Sequence, residues 1–424
     1  MRAAADESDT TGRPETRERP QTRGRPDPTR RPERDPARRP PSAEARGALE
    51  GVSILDFSRV LAGPFATMVL ADLGAQVTKV ERPGVGDETR QWGPPYDDRG
   101  QSTYFDAVNR NKQSLVLDLA EPVDLERARA LARRADVVVE NFRPGLMGRY
   151  GLGYEQLRRA NPGLVYCSIS GFGSGPQGAA LPGYDLLVQA LGGLMSITGD
   201  PGGEPQKVGV ALVDVICGLF ATTGILAALH HRRATGEGQL VEVDLFSSLL
   251  AALVNQGAAY TIAGVVGGRI GNAHPSIAPY ALYATGDGEL VLAVGNDRQF
   301  QALCEVLGAP QLSGDPRYLT NPQRVAHRDE LRAELETLLQ KRPAAEWAAL
   351  LTAARVPAGV VNDIAGAYAL AERLGLEPVV AVPRQDGTAV PLTRNPIRLS
   401  ATPASYRSAP PPLGDERSPA AGPR

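Results

Sequence analysis

The sequence predicts an α/β protein whose main sheet is parallel and doubly wound. Short apolar strands alternate with helical segments from residue 49 to about residue 173, which is the pattern of successive β-α-β units. The chain has 424 residues, of which 42% are hydrophobic and 22% are charged. This length is enough for two domains, or for one large domain with an insertion.

The first β-α-β unit is predicted within LEGVSILDFSRVLAGPFATMVLADLGAQVTKVE, residues 49–81. VSILDF (52–57) is typical of a strand, GPFATMVLADLG (63–74) predicts a helix that Gly74 ends, and AQVTKVE (75–81) predicts a second strand. A helical crossover of this kind makes the two strands parallel.

Further elements of the same sheet follow along the chain. Strands are predicted at SLVLDL (114–119), DVVVENF (136–142) and GLVYCSISGFG (163–173), and a helix at 123–135. Residues 214–264 read as helical, interrupted by a short strand after Gly236 and Gly238.

The pattern changes after residue 275, which predicts a second, smaller α/β domain. We expect a hairpin at 278–295, helices at 297–307, 322–340 and 343–354, and a strand over 388–400. The predicted organisation is a tail (1–46), a large domain (47–264), a small domain with its linkers (265–370), and a return to the large domain with a C-terminal tail (371–424).

Residues 1–46 have a composition unlike that of the remaining chain. They mix Arg, Pro, Asp and Glu and contain no Val, Ile, Leu, Phe or Trp, so they are predicted to be disordered and dispensable. A basic arm that binds nucleic acid is an alternative interpretation, which the interspersed acidic residues disfavour.

The composition also indicates which binding partners and which cellular compartment to expect. The net charge of −2 gives no reason to expect nucleic acid or an anionic membrane as a partner. Cys167, Cys217 and Cys304 are far apart in sequence, so we expect neither disulfides nor a metal site, and a reducing cytoplasm is the simplest setting. The apolar run 215–229 is shorter than a membrane span and is predicted to be a buried helix, and no secretory signal is expected.

One carboxylate lies in unexpectedly apolar surroundings. Asp214 is flanked by Val213, Val215 and Ile216 in QKVGVALVDVICGLF (206–220). An ionised carboxylate is costly in such a place unless it has a partner. Asp214 either caps the helix that begins here or is a reactive group at the start of that helix.

Three arginines follow predicted strands, at the edge where ligands bind in open α/β sheets. Arg82 directly follows the second strand, and Arg143 and Arg149 lie in the loop after the fourth. Together they favour a phosphate-bearing ligand, although each alone could be a solvated strand-end arginine.

Several common kinds of active site are excluded because the sequence lacks their motifs. The sequence contains no G-x-S-x-G elbow and no P-loop, and its first β-α-β unit lacks the G-x-G-x-x-G fingerprint. Its four histidines, 230, 231, 274 and 327, show no zinc spacing. What remains is a carboxylate, which can act as a nucleophile on an acyl group.

At this level the chain resembles the class III CoA-transferases, the formyl-CoA and carnitine CoA-transferase group, over residues 49–415. The resemblance is carried by segment 49–81 with the following RPGVGDETR, and by NRNKQSLVLDL, ADVVVENFRPG, GLGYEQLRRANPGLVYCSISGFGSGP, PGYDLLVQALGGLMSITG and TGEGQLVEVDL, in that order. It implies a Rossmann-like large domain, a smaller domain, and an interlocked homodimer in which two chains thread through one another.

The resemblance also implies the roles of particular residues. Asp214 matches the family's nucleophile, which forms a mixed anhydride and then an aspartyl-CoA thioester. The CoA contacts map to Val60, Leu61, Ala62, Arg82, Leu117 with the rest of 117–120, Asn141, Phe142, Arg143, Arg149 and Tyr184. CoA thioester is then a substrate, and no permanently bound cofactor is expected.

Two positions differ from the formyl-CoA enzymes, which carry Gln where this chain has Leu61 and Lys where it has Pro182. GNAHPSIAPY (271–280) and LAGPFATM look closer to the succinyl-CoA:glutarate branch. The resemblance therefore implies succinyl-CoA as the donor and a dicarboxylic acid as the acceptor.

Two other functions remain open on sequence alone. An α-methylacyl-CoA racemase shares the implied fold, but it uses a histidine at the position of Tyr184, and a phenol is a poor base at neutral pH. A non-catalytic CoA-binding protein would keep Arg82 and Arg149 but would not need a buried Asp214.

Overall fold

The computed structural model describes residues 47–415, and its centre is a six-stranded parallel sheet. The strands are β1 (Ser53–Asp56), β2 (Gln76–Glu81), β3 (Lys112–Val116), β4 (Val137–Glu140), β5 (Val165–Ser170) and β6 (Leu240–Asp244). Their order in the sheet is β3-β2-β1-β4-β5-β6, and every neighbouring pair is parallel. This doubly wound order confirms the predicted α/β sheet, and its direction of winding reverses between β1 and β4. The predicted tail 1–46 and residues 416–424 lie outside the described residues.

Ten helices accompany this part of the described chain. They are α1 (Ala62–Asp72), α2 (Thr103–Val108), α3 (Pro122–Arg134), α4 (Leu146–Arg149), α5 (Tyr154–Ala160), α6 (Asp185–Leu191), α7 (Leu194–Ile197), α8 (Leu212–Thr235), α9 (Leu245–Ala252) and α10 (Val254–Ala263). Short 3₁₀ turns lie at Glu88–Gln91 and Gly178–Ala180.

Each face of the sheet has its own hydrophobic core. On one face, α1 and α8 pack together over β1, β4 and β5, with Leu70, Val139 and Ile225 among the buried residues. On the other face, α3, α4 and α5 cover a second cluster that includes Leu55 and Val138. The central strands β1 and β4 therefore bury both faces, which explains why they read as continuous apolar runs rather than as alternating ones.

Helix α8 is longer than the apolar run that predicts it. At 24 residues it is long and apolar enough to cross a membrane by length and composition alone. Val213, Cys217, Ala221 and Ile225 of this helix lie buried in the first core. Packing against the sheet thus accounts for the apolar residues on one face of α8, where the buried-helix prediction is confirmed, while Leu219 and Phe220 of the same helix are exposed.

The remaining elements form two smaller sheets and the helices around them. They are β7 (Tyr280–Ala284), β8 (Glu289–Ala293), α11 (Asp297–Val306), α12 (Asn321–Ala326), α13 (Arg328–Leu339), α14 (Ala344–Ala353), β9 (Ala358–Val360), α15 (Ile364–Arg373), β10 (Val379–Pro383) and β11 (Ala389–Thr393). Strands β7, β8 and β9 form one antiparallel sheet, and β10 pairs with β11 in another. A third 3₁₀ turn lies at Pro310–Gly314.

The structure corrects three of the predicted element boundaries. Strand β3 covers 112–116 rather than 114–119, because it ends where its partner strand β2 ends, with Val116 opposite Glu81. The predicted helix 322–340 is two helices, since His327 between them has non-helical angles (φ −110°, ψ 33°). The predicted strand over 388–400 is limited to β11.

The predicted hairpin at 278–295 is confirmed as β7 and β8, and the predicted helices near 297–307 and 343–354 as α11 and α14. A separate hydrophobic cluster, which includes Leu292, Leu303 and Trp347, lies among these elements. The division of the chain into a large and a small domain stays a prediction.

A buried aspartate joins the C-terminal segment to the large sheet. The Asp72 carboxylate accepts three hydrogen bonds from Arg110 and one each from Asn111 and Asn395. Its main-chain carbonyl accepts from the N–H of Ser405. The NRNK segment that carries part of the family resemblance (109–112) therefore has a structural role, because it binds the end of α1 to residues more than 280 positions away.

A candidate active site at the carboxyl ends of the strands

The candidate site is a cavity of about 290 Å³ outside the carboxyl ends of β1, β4 and β5. This is where the winding of the sheet reverses, the usual ligand site of doubly wound folds. Its wall includes Val60, Ala62, Asn141, Phe142 and Asp214. A larger cavity of about 670 Å³ lies at the opposite, amino ends of β1, β2 and β3 and lacks Asp214.

Asp214 does not act as the cap of its helix. It is the third residue of α8, and the Asp185 carboxylate accepts hydrogen bonds from the N–H groups of Val213 (2.8 Å) and Asp214 itself (3.2 Å). Asp185 begins α6 and so supplies from a neighbouring helix the cap that the sequence assigned to Asp214 as one alternative. Asp214 is thereby left on the cavity wall with its carboxyl group available.

Two glycines allow Asp185 to come this close. A side chain on Gly171, at the end of β5, would lie 2.4 Å from the Cα of Gly183, and one on Gly183 would lie 2.6 Å from the Cα of Gly171. Only glycine at both positions lets the loop before α6 lie directly on the end of β5. This contact places Tyr184 and Asp185 at the rim of the cavity.

The electrostatic setting of Asp214 differs from that of an ordinary aspartate. Burial, followed by the negative charge of Asp185, raises the pKa of the Asp214 carboxyl to about 7. An isolated aspartate is fully ionised at neutral pH, whereas these surroundings favour the protonated form of the Asp214 carboxyl group. A more basic carboxylate is a better nucleophile once it is deprotonated.

The turn between β1 and α1 forms another wall of the cavity. Asn141 holds this turn with both ends of its amide: its Oδ1 accepts from the N–H of Arg59 (2.8 Å), and its Nδ2 donates to the Arg59 carbonyl (2.7 Å). The side chain of Asn141 is thus engaged with protein main chain. Its sequence-predicted contact with CoA stays a prediction.

A second cavity of about 190 Å³ adjoins the first and shares Arg59 and Phe142 with it. Arg82, Leu117, Asp118, Leu119 and Ala120 also line it. The guanidinium of Arg59 lies over the Phe142 ring, 4.7 Å from its centroid, between the two cavities. An elongated ligand could therefore extend from Arg82 past Arg59 and Phe142 to Asp214.

The structure brings most of the sequence-predicted site residues to these two cavities. The first contains Asp214, Val60, Ala62, Asn141, Phe142, Arg143 and Tyr184, and the second contains Arg82, Leu117 and again Phe142. Leu61 is buried, and Arg149 is exposed at the end of α4; neither lines the two cavities.

Sequence reasoning missed three residues that the fold places here. Asp185 caps α8 from α6, and Arg59 forms a half-buried ion pair with Glu88 (2.7 Å) on the shared wall. Tyr104 is the third: it lines neither cavity, but burial and then the nearby charges of Asp214 and Asp185 raise the pKa of its phenol. Asp185 lies within one of the segments that carry the family resemblance, but the sequence assigns none of the three a role at the site, since each is distant in sequence from the group that it meets.

Within residues 47–415, no group of His, Cys, Asp and Glu side chains has the geometry of a metal site. The three cysteines are buried and unpaired in disulfides, as expected for small core residues. Burial, with the neighbouring Cys217 adding to it, raises the pKa of the Cys167 thiol above its usual range.

Curated proteins with similar sequences are CoA-transferases. A succinate–glutarate CoA-transferase of Agrobacterium fabrum is 43% identical over 90% of this chain and 95% of its own length. An acetyl-CoA:oxalate CoA-transferase of Acetobacter aceti is 42% identical over 84% of this chain and 90% of its own length. The mouse succinyl-CoA:glutarate CoA-transferase is 44% identical over 77% of this chain and 74% of its own length.

Solved structures show the same fold. A CAIB/BAIF family protein from Brucella suis superposes with a TM-score of 0.77 at 41% identity, covering 87% of this chain and 97% of that one. Rv3272 from Mycobacterium tuberculosis superposes with a TM-score of 0.79 at 33% identity, covering 88% and 98%. The model of CoA-transferase family III matches residues 49–417. The chain therefore belongs to CoA-transferase family III and is a CoA-transferase.

Proposed function

We propose that the enzyme transfers CoA from succinyl-CoA to a dicarboxylic acid, with Asp214 as the nucleophile. The observation that carries this proposal is the place of the Asp214 carboxyl group in the wall of the strand-end cavity, beside Asp185, where burial and then the Asp185 charge raise its pKa. The choice of acids is supported by relatives whose names pair succinate with glutarate, and by one that acts on oxalate, also a dicarboxylate.

The first half of the proposed reaction moves the donor acyl group off CoA. An oxygen of the Asp214 carboxylate attacks the thioester carbonyl, the C–S bond breaks, and CoA leaves as a thiolate from a mixed anhydride. The thiolate then attacks the Asp214 carbonyl of that anhydride. The donor leaves as its carboxylate, and Asp214 holds CoA as a thioester.

The second half repeats these steps in reverse with the acceptor. The acceptor carboxylate attacks the Asp214 thioester, which gives a new mixed anhydride and CoA thiolate. The thiolate attacks the acceptor carbonyl, so that the new acyl-CoA leaves and the Asp214 carboxylate is regenerated. No external acid, base or metal is needed for the balance, because each bond that forms replaces an equivalent one.

The CoA moiety is proposed to occupy the two joined cavities. Arg82 is half-exposed beside the second cavity and lies 3.7 Å from Glu88, while Arg143 is exposed on the first. Both are positioned to meet phosphate groups, and the apolar wall at Phe142 and Leu117 suits the remaining parts of the cofactor arm.

We also propose a homodimer, in which a second copy covers the apolar faces of α8, α9 and α10. Leu219, Leu250, Val254 and Ile262 on these helices are exposed in the single chain, Ile262 by 85%. An apolar surface that extends over three helices is typical of a protein interface. The interlocked form that the family resemblance implies is part of this proposal, as is a cytoplasmic location.

Replacing Asp214 tests the nucleophile. Asp214→Ala should abolish CoA transfer while CoA binding and melting temperature stay close to those of the wild type. Hydroxylamine added during turnover should modify Asp214 in the wild-type protein, as peptide mass spectrometry would show. Transfer at a normal rate by the alanine variant would refute the assignment.

The pH profile tests whether the negative charge of Asp185 raises the pKa of Asp214. Because the carboxylate is the reactive form and its pKa is about 7, kcat/KM should rise with pH and level off above that value. Asp185→Asn removes the second negative charge, lowers the pKa of Asp214, and should move the rise to lower pH. Asp200→Asn, at an exposed carboxylate, is the control that leaves the profile in place. An unshifted profile in Asp185→Asn would show that the charge of Asp185 does not raise the pKa of Asp214.

Arginine variants test where the CoA phosphates lie. Arg82→Ala should raise the KM for acyl-CoA by about ten- to a hundredfold, the value of one charge-assisted phosphate contact, and change the KM for the acceptor acid much less. Arg149→Ala should have a smaller effect, because Arg149 lines neither cavity. Arg133→Ala, on the solvent-exposed side of α3, controls for the loss of a positive charge. A fall in kcat alone for Arg82→Ala would place Arg82 outside the CoA site.

Light scattering tests the dimer. The mass in solution should be twice that of one chain, and Ile262→Asp should shift the protein toward monomer because it buries a charge in the proposed interface. Val123→Asp is the matched control, since Val123 is 82% exposed on α3, away from these helices. A monomeric wild-type protein at micromolar concentration would refute the proposal.

A further inference from the structure

The β1–α1 turn contains a residue in an unfavourable backbone conformation. Val60 has φ +69°, in the left-handed region, although it is β-branched and far better accommodated at negative φ. Val60 lines the cavity that holds Asp214, and the next residues, Leu61 and Ala62, begin α1. A strained residue of this kind persists only where surrounding groups hold it.

A buried carboxylate holds the N–H of Val60. Both oxygens of Asp87 lie 3.3 Å from the Val60 nitrogen, and Asp87 is only 1% exposed. Asp87 also accepts from the N–H and the hydroxyl of Thr89, which fixes the orientation of its carboxylate. The strained peptide is therefore bound to a buried carboxylate whose orientation is fixed by Thr89.

The two residues before Val60 are also held at their main-chain groups by side chains. Lys79 donates to the carbonyl of Ser58 (2.8 Å) and forms an ion pair with Asp87 (2.8 Å), with both charged side chains fully buried. Asn141 holds the N–H and the carbonyl of Arg59. Three consecutive residues of the turn thus have their main-chain groups fixed by side chains from β2, from the loop after β2 and from the end of β4.

We propose that Asp87, paired with Lys79, is a positioning residue that keeps Val60 left-handed and thereby holds the Val60–Ala62 wall of the cavity in the shape that receives the CoA thioester. The inference rests on the proposed function, because it assumes that CoA occupies this cavity. Asp87 itself is buried beneath the turn and lines the neighbouring second cavity.

The consequence of losing Asp87 follows from backbone energetics. Without its acceptor, the Val60 peptide can relax to a negative φ, and the wall that follows it moves before any substrate binds. Glycine has little preference between negative and positive φ, so a turn that carries the Val60→Gly substitution needs Asp87 much less. The two positions should therefore be energetically coupled.

A double-mutant cycle tests this coupling. Asp87→Ala should weaken the binding of free CoA, measured by calorimetry, by about ten-fold, which corresponds to about 1.4 kcal/mol. It should raise the KM for acyl-CoA by a similar factor, and the KM for the acid much less. In the Val60→Gly background, the same Asp87→Ala change should weaken CoA binding by no more than about three-fold.

Two further variants separate positioning from stability. Asp87→Asn keeps the size of the side chain and one carbonyl acceptor, so it should fold even if Asp87→Ala does not, and it should lose only part of the affinity for CoA. Asp136→Asn is the matched control at the amino end of the same sheet. Asp136 also accepts from a main-chain N–H, that of Ser53, and pairs with Arg232. It should lower the melting temperature without changing CoA affinity.

The possible failures are distinguishable. Equal losses of CoA affinity from Asp87→Ala in the wild-type and Val60→Gly backgrounds would overturn the inference, as would a lower melting temperature in Asp87→Asn with unchanged CoA affinity. In both cases wild-type binding and transfer would still support the proposed function. A wild-type protein that binds no CoA would instead refute the proposed function on which the inference rests.

Discussion

Two ion pairs buried under the β1–α1 turn are the constraint on which the site depends. Lys79 pairs with Asp87, and Lys112 with Asp56, and all four side chains are fully buried. Such charges are costly to remove from water, and loss of one partner typically costs about 3–5 kcal/mol. Here each charged group also binds the turn, α1 or the loop that covers them, as when Lys112 donates to the carbonyl of Pro64. The free energy lost by burying these four charges is therefore offset in part by hydrogen bonds that fix the shape of the turn, at the sheet edge where ligands bind.

Around Asp214, one carboxylate binds the main chain while the other faces the cavity. The N–H groups at the start of α8 are bound by Asp185, and this leaves the Asp214 carboxyl free while placing a second negative charge beside it. Burial and that charge together raise the pKa of Asp214, so one contact both orients the helix and tunes the carboxyl group. The contact exists only because Gly171 and Gly183 let two main-chain segments touch.

Much of the architecture and of the candidate site could be predicted from sequence. Short apolar runs located all six parallel strands to within a few residues, and the family resemblance implied roles for Asp214, Phe142 and Arg82. Arg59, Tyr104 and Asp185 were not predictable in this way. Arg59 meets Glu88, and Asp185 meets Asp214, across 29 residues of chain in each case, and Tyr104 is more distant still from the two aspartates that act on it. Local patterns carry no information about such contacts.

The sequence by itself determined the order of strands and helices, the buried nature of α8 and the unusual apolar setting of Asp214. These depend on residue type and short-range periodicity, which are properties of the chain before it folds. Only the tertiary structure decided that Asp185 rather than Asp214 caps α8, and that the Asp214 carboxyl has a pKa of about 7. It also decided that Asp87 meets the N–H of a left-handed Val60. Each of these results is set by the distance between groups that the chain brings together from separate elements, and electrostatic and hydrogen-bond energies depend on that distance rather than on separation along the sequence.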